Sequence, residues 1–314
     1  MTRFLLQRIG LMIPTIFFVS VIVFSLQQLL PGDPALTIAG DEASPALIAE
    51  IRAKYHLDDP LLVRYGKWVA GIAQGDLGIS LRTQQTVVQL LAQKIPVTLE
   101  LATLAMIIAL TLGVSMGILA AISRGGPMDY VARCIALFGI SMPAFWLGIL
   151  FILLFAVKWR ILPASGYVPL TENPLENLRS MIMPALVLGL AVSGVIMRHT
   201  RSAMLQVLSN DYVRTARAKG LSETAVIFVH ALRNAALPVI TLGALEFGQL
   251  LSGTVLTETV FSMPGFGKLV VDAVFNRDYA VVQGAVLCTA VVFLLLNLFA
   301  DLAYAAVNPR LRGR

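Results

Sequence analysis

Residues 9–29, 101–122, 134–157, 181–197 and 280–300 contain no Asp, Glu, Lys or Arg, and residues 237–257 contain one, Glu246. A helix rises ~1.5 Å per residue, so about 20 apolar residues cross the ~30 Å hydrocarbon core of a bilayer. A backbone inside lipid must satisfy its own N–H and C=O groups, and apolar runs of this length do so as helices. Six runs therefore predict an all-α, polytopic membrane protein with six transmembrane helices. The run at 181–197 is short and is expected to extend a few residues either way. Composition agrees: 57% of the 314 residues are hydrophobic and 13% charged, and the mean hydropathy is +0.80. A soluble domain carries roughly 25% charged residues. The balance argues against a soluble two-domain enzyme, a disordered chain or a secreted disulfide scaffold. Cys134 and Cys288 both lie in apolar runs, where they read as small buried hydrophobes rather than a redox or metal pair.

An even number of spans puts both termini on one side. With the N-terminus inside, thirteen Lys and Arg residues fall in inner segments and five in the two short outer loops. The other six lie between residues 31 and 98, a segment too long for the rule to weigh. The excess of inner basic residues places both termini in the cytoplasm. The net charge of +6 then reports topology, and no nucleic-acid partner is expected; membrane lipid is. The first run follows Arg3 and Arg8 and is itself followed by Pro31-Gly32-Asp33-Pro34, without an A-x-A site. It reads as a retained signal anchor. The chain divides into that anchor (1–30), an external segment (31–98) and a core with five spans (99–314).

The external segment carries two helix starts. Ser44-Pro45 places a cap before a proline at the first helical position, with Leu47, Ile48, Ile51 and Tyr55 on one face. Asp59-Pro60 repeats the signal, with Leu61, Leu62, Tyr65, Trp68, Val69 and Ile72 as the face. Gly75-Asp76-Leu77-Gly78 ends this second helix. Such amphipathic helices would lie on the outer ends of the spans, as a structural cap or as part of a docking surface.

The loop at 198–236 is the most informative. Its six Lys and Arg against Asp211 and Glu223 leave it at +4. Asp211 to Lys219 reads as a short helix ended by Gly220, which suits the left-handed position after a helix terminus. Ser222 caps a second helix expected to run to about Ala236, with Pro238 at the start of the next span. Ala216, Ala218 and Gly220 allow close backbone approach. A basic helix with a small-residue face would seat in a partner's groove; the plainer alternative is an ordinary positive-inside loop.

Tyr212 to Gly220, followed by His230-Ala231-Leu232-Arg233-Asn234-Ala235-Ala236-Leu237-Pro238, resembles the EAA loop of ABC-importer permeases. The form is that of the oligopeptide and dipeptide branch, which also includes nickel and glutathione importers. Arg214-Thr215 stand where the general pattern has Glu-Ala, while Ala216 and Gly220 match. Other pieces resemble the same branch: Leu30 to Ala35, Gly75 to Ser80, Pro96-Val97-Thr98-Leu99-Glu100-Leu101, Ser141 to Gly148, Leu162 to Tyr167, Glu258 to Gly267, Arg277-Asp278-Tyr279 and Asn308-Pro309-Arg310. Met263 occupies a place where the family often has Trp.

The resemblance implies a type I ABC-importer-like permease, the B-type subunit of its system. It would pair with a second homologous permease, two cytoplasmic ATPase subunits and an external substrate-binding protein. Tyr212, Arg214, Thr215, Ala216, Arg217, Ala218, Lys219 and Gly220 would form the coupling helix. Phe261, Pro264, Gly265 and Gly267 would form an external motif. Peptides are the first cargo implied, with nickel or a glutathione-like compound next. The chain itself has no G-x-x-x-x-G-K-[ST] sequence. ATP and Mg are therefore expected on the partners, no cofactor on this chain, and no catalytic or metal-ligating set within it.

Glu246 is the one ionisable residue well inside a predicted span, with Gln249 three residues on. Intramembrane acids face a cavity or a polar partner. Glu246 and Gln249 are thus pathway-lining candidates, or else helix-packing residues. Pro143, Pro184, Gly189, Gly243, Gly248 and Gly253 fit bending or close helix packing. A gradient-driven secondary transporter would show similar halves and several intramembrane charges. Neither stands out here. A non-transporting structural subunit is the blandest alternative.

Overall fold

The computed structural model describes residues 2–29, 35, 44–54, 58–80 and 82–307. Pro31-Gly32-Asp33-Pro34, Tyr55 and the terminal Asn308-Pro309-Arg310 lie outside the described residues. The described chain is helical, with one isolated antiparallel bridge between Ile79 and Thr86. In order the helices are α1 (Thr2–Leu29), α2 (Pro45–Lys54), α3 (Leu61–Ala73), α4 (Val87–Ile122), α5 (Pro127–Ser141), α6 (Ala144–Phe151), α7 (Pro174–Leu208), α8 (Asp211–Ala218), α9 (Glu223–Ala225), α10 (Leu232–Gly253), α11 (Val255–Val260), α12 (Phe266–Phe275) and α13 (Tyr279–Val307). Wider π turns extend α6 through Ile152–Lys158 and join α9 to α10 through Val226–Ala231.

Among the described residues, four helical segments are long and apolar enough to cross a membrane: Val87–Ile122, Pro174–Leu208, Glu223–Leu251 and Tyr279–Leu298. The pair Pro127–Ser141 and Ala144–Lys158 makes a fifth if taken as one span, and it is bent by 100°. Within α1 the apolar part, Gly10–Ser25, is shorter. The run at 134–157 is thus not one straight helix. Pro143 has no N–H to continue the ladder and favours extended backbone before it; Met142 is extended, at φ −81° and ψ 127°.

One further expectation needs correction. The helix after Ser222 does not stop near Ala236. It runs on through Pro238, which lies inside α10. A proline within a membrane helix is tolerated because neighbours re-satisfy the freed carbonyl. The run at 181–197 is the middle of the 35-residue α7.

The contacts divide the chain into two compact units, Met1–Ile95 with Leu269–Leu295 and Pro96–Lys268 with Leu296–Arg314. In the first, α3 packs on α1 through aromatics. Phe24 meets Tyr65 and Trp68 at centroid distances of 5.4 and 5.6 Å, and the Ser20 and Tyr65 hydroxyls hydrogen-bond at 2.8 Å. The expected apolar face of α3 is only partly used. Leu62 is 82% exposed and Leu61 and Val69 are exposed too, because Tyr65 and Trp68 turn the opposite edge of the stripe to α1. Helix α2 starts at the predicted cap: the Ser44 hydroxyl accepts from the Leu47 N–H.

Also in this unit, Gly75-Asp76-Leu77-Gly78-Ile79-Ser80 meets Arg277-Asp278-Tyr279. The Ser80 hydroxyl donates to the buried Asp278 carboxylate at 2.5 Å. A polar cavity of about 450 Å³ opens beside this contact, with Arg82, Lys94, Asp272 and Asn276 in its wall.

The second unit is built on α4 and α7. Leu101, Ala105, Met181, Met183, Val187 and Ile196 form its buried centre. Glycines let the helices touch. A Cβ at Gly189 would come within 2.9 Å of the Ala105 carbonyl, and one at Gly117 within 2.9 Å of the Met197 carbonyl. Small residues do this work in lipid, where association rests on close van der Waals contact rather than on the hydrophobic effect.

Candidate functional site

Helix α8 is fixed at both ends. The Asn210 carbonyl accepts from the N–H groups of Val213 and Arg214, and Thr215 bonds back to the Asp211 carbonyl. At its end the Leu221 N–H reaches the Ala216 carbonyl and the Gly220 N–H reaches that of Arg217. This is the Schellman cap, which needs a left-handed residue after the helix. Gly220 supplies it at φ +81°. A Cβ there would meet nothing within 4 Å, so Gly220 serves the backbone turn and not close approach.

One side of α8 is turned inward. Val213 and Ala216 are buried against Val226, with Val207 and Leu208 beside them. Ala216 is therefore a packing residue of this chain, while Ala218 and Gly220, the other two of the expected small-residue set, are exposed. Tyr212, Arg214, Thr215, Arg217, Ala218 and Lys219 lie on the exposed side. Two contacts brace that side. Arg217 forks onto Glu223 at 2.8 and 3.2 Å, and Glu223 raises the Arg217 pKa, chiefly through that hydrogen bond. The Asn234 amide donates to the Tyr212 hydroxyl at 2.9 Å. Ser222 caps α9 by accepting from the Ala225 N–H. Arg217 and Glu223 also border a groove of about 330 Å³ with Arg124, Leu205 and Leu208.

The motif around residues 258–267 folds over a buried carboxylate. Glu258 is fully buried. Its Oε1 accepts from the hydroxyls of Thr98 at 2.6 Å and Thr254 at 2.9 Å, and its Oε2 from the Lys268 N–H at 2.9 Å. The Thr98 hydroxyl in turn accepts from the Phe266 N–H. Gly265 leaves room for this: a Cβ there would overlap the Glu258 carboxyl group. A Cβ at Gly267 would lie 2.9 Å from the Val255 backbone. Phe261 is buried against Gly148, its carbonyl accepts from the Gly166 N–H, and Pro264 is half-buried. Tyr167 donates to Glu100 Oε2 at 2.8 Å. Burial, then that bond, pushes the Tyr167 phenol up to about 12.

Four segments far apart in sequence, 96–101, 141–148, 162–167 and 258–267, thus converge. Sequence reasoning named Phe261, Pro264, Gly265 and Gly267 as site candidates, and quoted Glu258 and Thr98, which hold them together, only as parts of motifs. An acid directly after the apolar run 237–257, a few residues before a Pro- and Gly-bearing loop, was the available signal.

Glu246 is half-buried and Gln249 exposed in this chain, both on α10. Among the described residues neither makes a hydrogen bond or ion pair. Glu223–Leu251, the segment that carries them, is the least buried of the four long apolar ones.

Long apolar helices, with a braced polar helix between two of them and a buried carboxylate on α11, define a multi-pass membrane protein. The chain belongs to the family of binding-protein-dependent transport system inner membrane components, whose model matches residues 113–313, and the N-terminal model for such membrane components matches residues 1–102. It is 44% identical over 338 residues to the dipeptide transport system permease protein DppB of Escherichia coli (strain K12), across 100% of both chains. It is 44% identical over 333 residues to the di/tripeptide transport system permease protein DppB of Pseudomonas aeruginosa (strain UCBPP-PA14), across 99% of each. The fold is also that of a solved methionine ABC transporter, MetNI, in its inward-facing conformations, at a TM-score of 0.58 and 17% identity over 70% of this chain and 97% of that one. The protein is an ABC-importer permease of the inner membrane.

Proposed function

We propose that this permease forms half of the pathway by which di- and oligopeptides are imported, together with a second homologous permease, two ATPase subunits and an external binding protein. The six apolar runs span the membrane with both termini in the cytoplasm, and the 198–236 loop faces the ATPases. The observation that carries the reading is the state of α8. It is a short polar helix, braced by Arg217–Glu223 and Tyr212–Asn234 and closed by Gly220, yet it leaves six side chains exposed. A surface made rigid at this many points suits a partner that must push on it. ATP and Mg belong to that partner. Peptides are the cargo because relatives matched along the whole chain carry that specificity in their names.

Helix α10 supports the rest. Glu246, which makes no hydrogen bond or ion pair among the described residues, and the exposed Gln249 are costly against lipid. A second permease across a wet pathway removes that cost.

Native mass spectrometry of the tagged protein, extracted gently from its host, tests the reading. A complex with a second permease and two ATPases, retaining a peptide mass, is expected. A lone chain or homodimer under several extraction conditions would sink it and favour a gradient-driven carrier or a structural subunit.

A further inference from the structure

Asp129 sits in the first turn of α5, where the positive end of the helix dipole favours a carboxylate, and is 1% exposed. Its Oδ2 accepts from the Gly125 N–H at 3.0 Å. Arg201 Nε and Nη2 reach its two oxygens at 2.7 and 2.8 Å, and Arg133, one turn along α5, stands at 3.3 Å. Arg201 belongs to α7, the helix that leads through Ser209 and Asn210 directly into α8.

Helices α5 and α7 also meet backbone to backbone. A Cβ at Gly194 would lie 2.6 Å from the Ala136 carbonyl oxygen, and one at Gly139 2.7 Å from that of Leu190. Contacts of this kind bring two helices close but have no directional bond to resist sliding or rotation. The planar guanidinium does: two parallel N–H bonds to one carboxylate fix both distance and orientation. A buried ion pair is seldom the most stable way to fill a site, and its best-attested use is to fix register.

We propose that Asp129 and Arg201 are a positioning pair that makes α5, and through the Met142-Pro143 bend α6, move as one with α7 when partner ATPases displace α8. The inference rests on the reading of this chain as an ATP-driven import permease. Without the fork, displacement of α8 moves α7 along α5 and is lost before it reaches the bent pair.

The test uses the whole transporter in vesicles, with peptide uptake and ATP hydrolysis measured together for the unchanged protein, Asp129→Asn, Arg201→Lys and the charge swap Asp129→Arg with Arg201→Asp. Arg201→Lys keeps the charge and loses the fork, so it is the variant suited to survive assembly. Uptake per ATP hydrolysed is expected to fall about fivefold or more in Arg201→Lys and Asp129→Asn, with partial recovery in the swap. A change in fold stability alone lowers the amount of complex and leaves that ratio unmoved. An unaltered ratio in assembled Arg201→Lys overturns the pair's role and leaves the importer reading standing. ATP-independent uptake by the unchanged protein overturns both.

Discussion

The Thr98 hydroxyl donates to the Glu258 carboxylate at 2.6 Å and accepts from the Phe266 N–H at 2.8 Å. One side chain three turns into α4 thereby ties both the helix and the loop of the 258–267 motif. Each of the two Glu258 oxygens has a donor, which is the condition for burying a carboxylate at tolerable cost. Thr98→Val keeps the shape and removes both bonds, leaving Oε1 with Thr254 alone. A loss of about 1–3 kcal/mol is expected, read as a lower thermal midpoint in detergent, with Thr98→Ser close to the unchanged protein. Equal midpoints for Val and Ser would show that the hydroxyl is not holding the loop.

Gly265→Ala is expected to be worse than Thr98→Val, since its methyl group overlaps the Glu258 carboxyl group and moving that group breaks its bonds to Thr98, Thr254 and Lys268 together. Overpacking of this kind costs about 1–3 kcal/mol or more. Gly253→Ala is the control, because a Cβ there meets nothing within 4 Å. A folded-protein yield that is the same for both variants would contradict the sealed carboxylate.

Gly75 at φ +83° and three further helix ends use the same cap, and those three, with different residues, predict opposite signs. Gly220 at φ +81° ends α8, Ser262 at φ +51° ends α11 and Arg277 at φ +56° ends α12. A left-handed conformation costs a residue with a Cβ roughly 1–2 kcal/mol relative to glycine. Gly220→Ala should therefore destabilise the loop by about 1 kcal/mol and reduce uptake, whereas Ser262→Gly should be neutral or stabilising by up to about 1 kcal/mol. Hydrogen exchange across 211–222 reads the first and a thermal midpoint the second. Faster exchange in neither variant, or a large loss in Ser262→Gly, would contradict the shared geometry.

Those caps mark where the sequence was legible. The turns at Gly75 and Gly220 could be read because glycine is the ordinary occupant of a left-handed cap. Ser262 and Arg277 could not, because their side chains hide the same turn. Helix starts at Ser44 and Ser222 were visible through local capping chemistry. The partners of Glu258, Asp129 and Asp278 were not, since each lies on another element, and only the fold brings Thr98, Arg201 and Ser80 to them. Apolar runs showed where spans lie, but not that Met142-Pro143 bends one by 100°, nor that Pro238 leaves another unbroken. Ala216 looked like a partner surface and is a packing residue, because composition alone does not say which side of a short helix faces its own chain.

Tyr167 offers a pH test. Its hydroxyl donates to Glu100, and its pKa is raised from 10.0 to about 12. A raised pKa means the neutral phenol is favoured in the fold. Its stabilisation is complete below pH 10 and is lost as pH rises through about 12. Ultraviolet titration should show one fewer late-ionising tyrosine in Tyr167→Phe, and that variant should lose about 1 kcal/mol at neutral pH. An unchanged titration curve would place Tyr167 in solvent.

Glu246 and Gln249 provide the sharpest separation of pathway from packing. A packing acid in lipid would find a partner within its own chain, and among the described residues Glu246 has none by hydrogen bond or ion pair. Glu246→Gln removes the charge and keeps the size, so a pathway role predicts an assembled transporter with normal thermal midpoint and altered uptake, most of all for peptides carrying an extra positive charge. Gln249→Ala should act in the same direction and more weakly, because an exposed amide offers hydrogen bonds but no charge. A packing role predicts the reverse: uptake per assembled complex stays constant while the midpoint falls by several degrees, as a loss of about 1–2 kcal/mol would give for a chain of this size. Uptake of neutral, acidic and basic dipeptides by matched amounts of complex decides between the two, and identical uptake of all three by Glu246→Gln would remove Glu246 from the pathway.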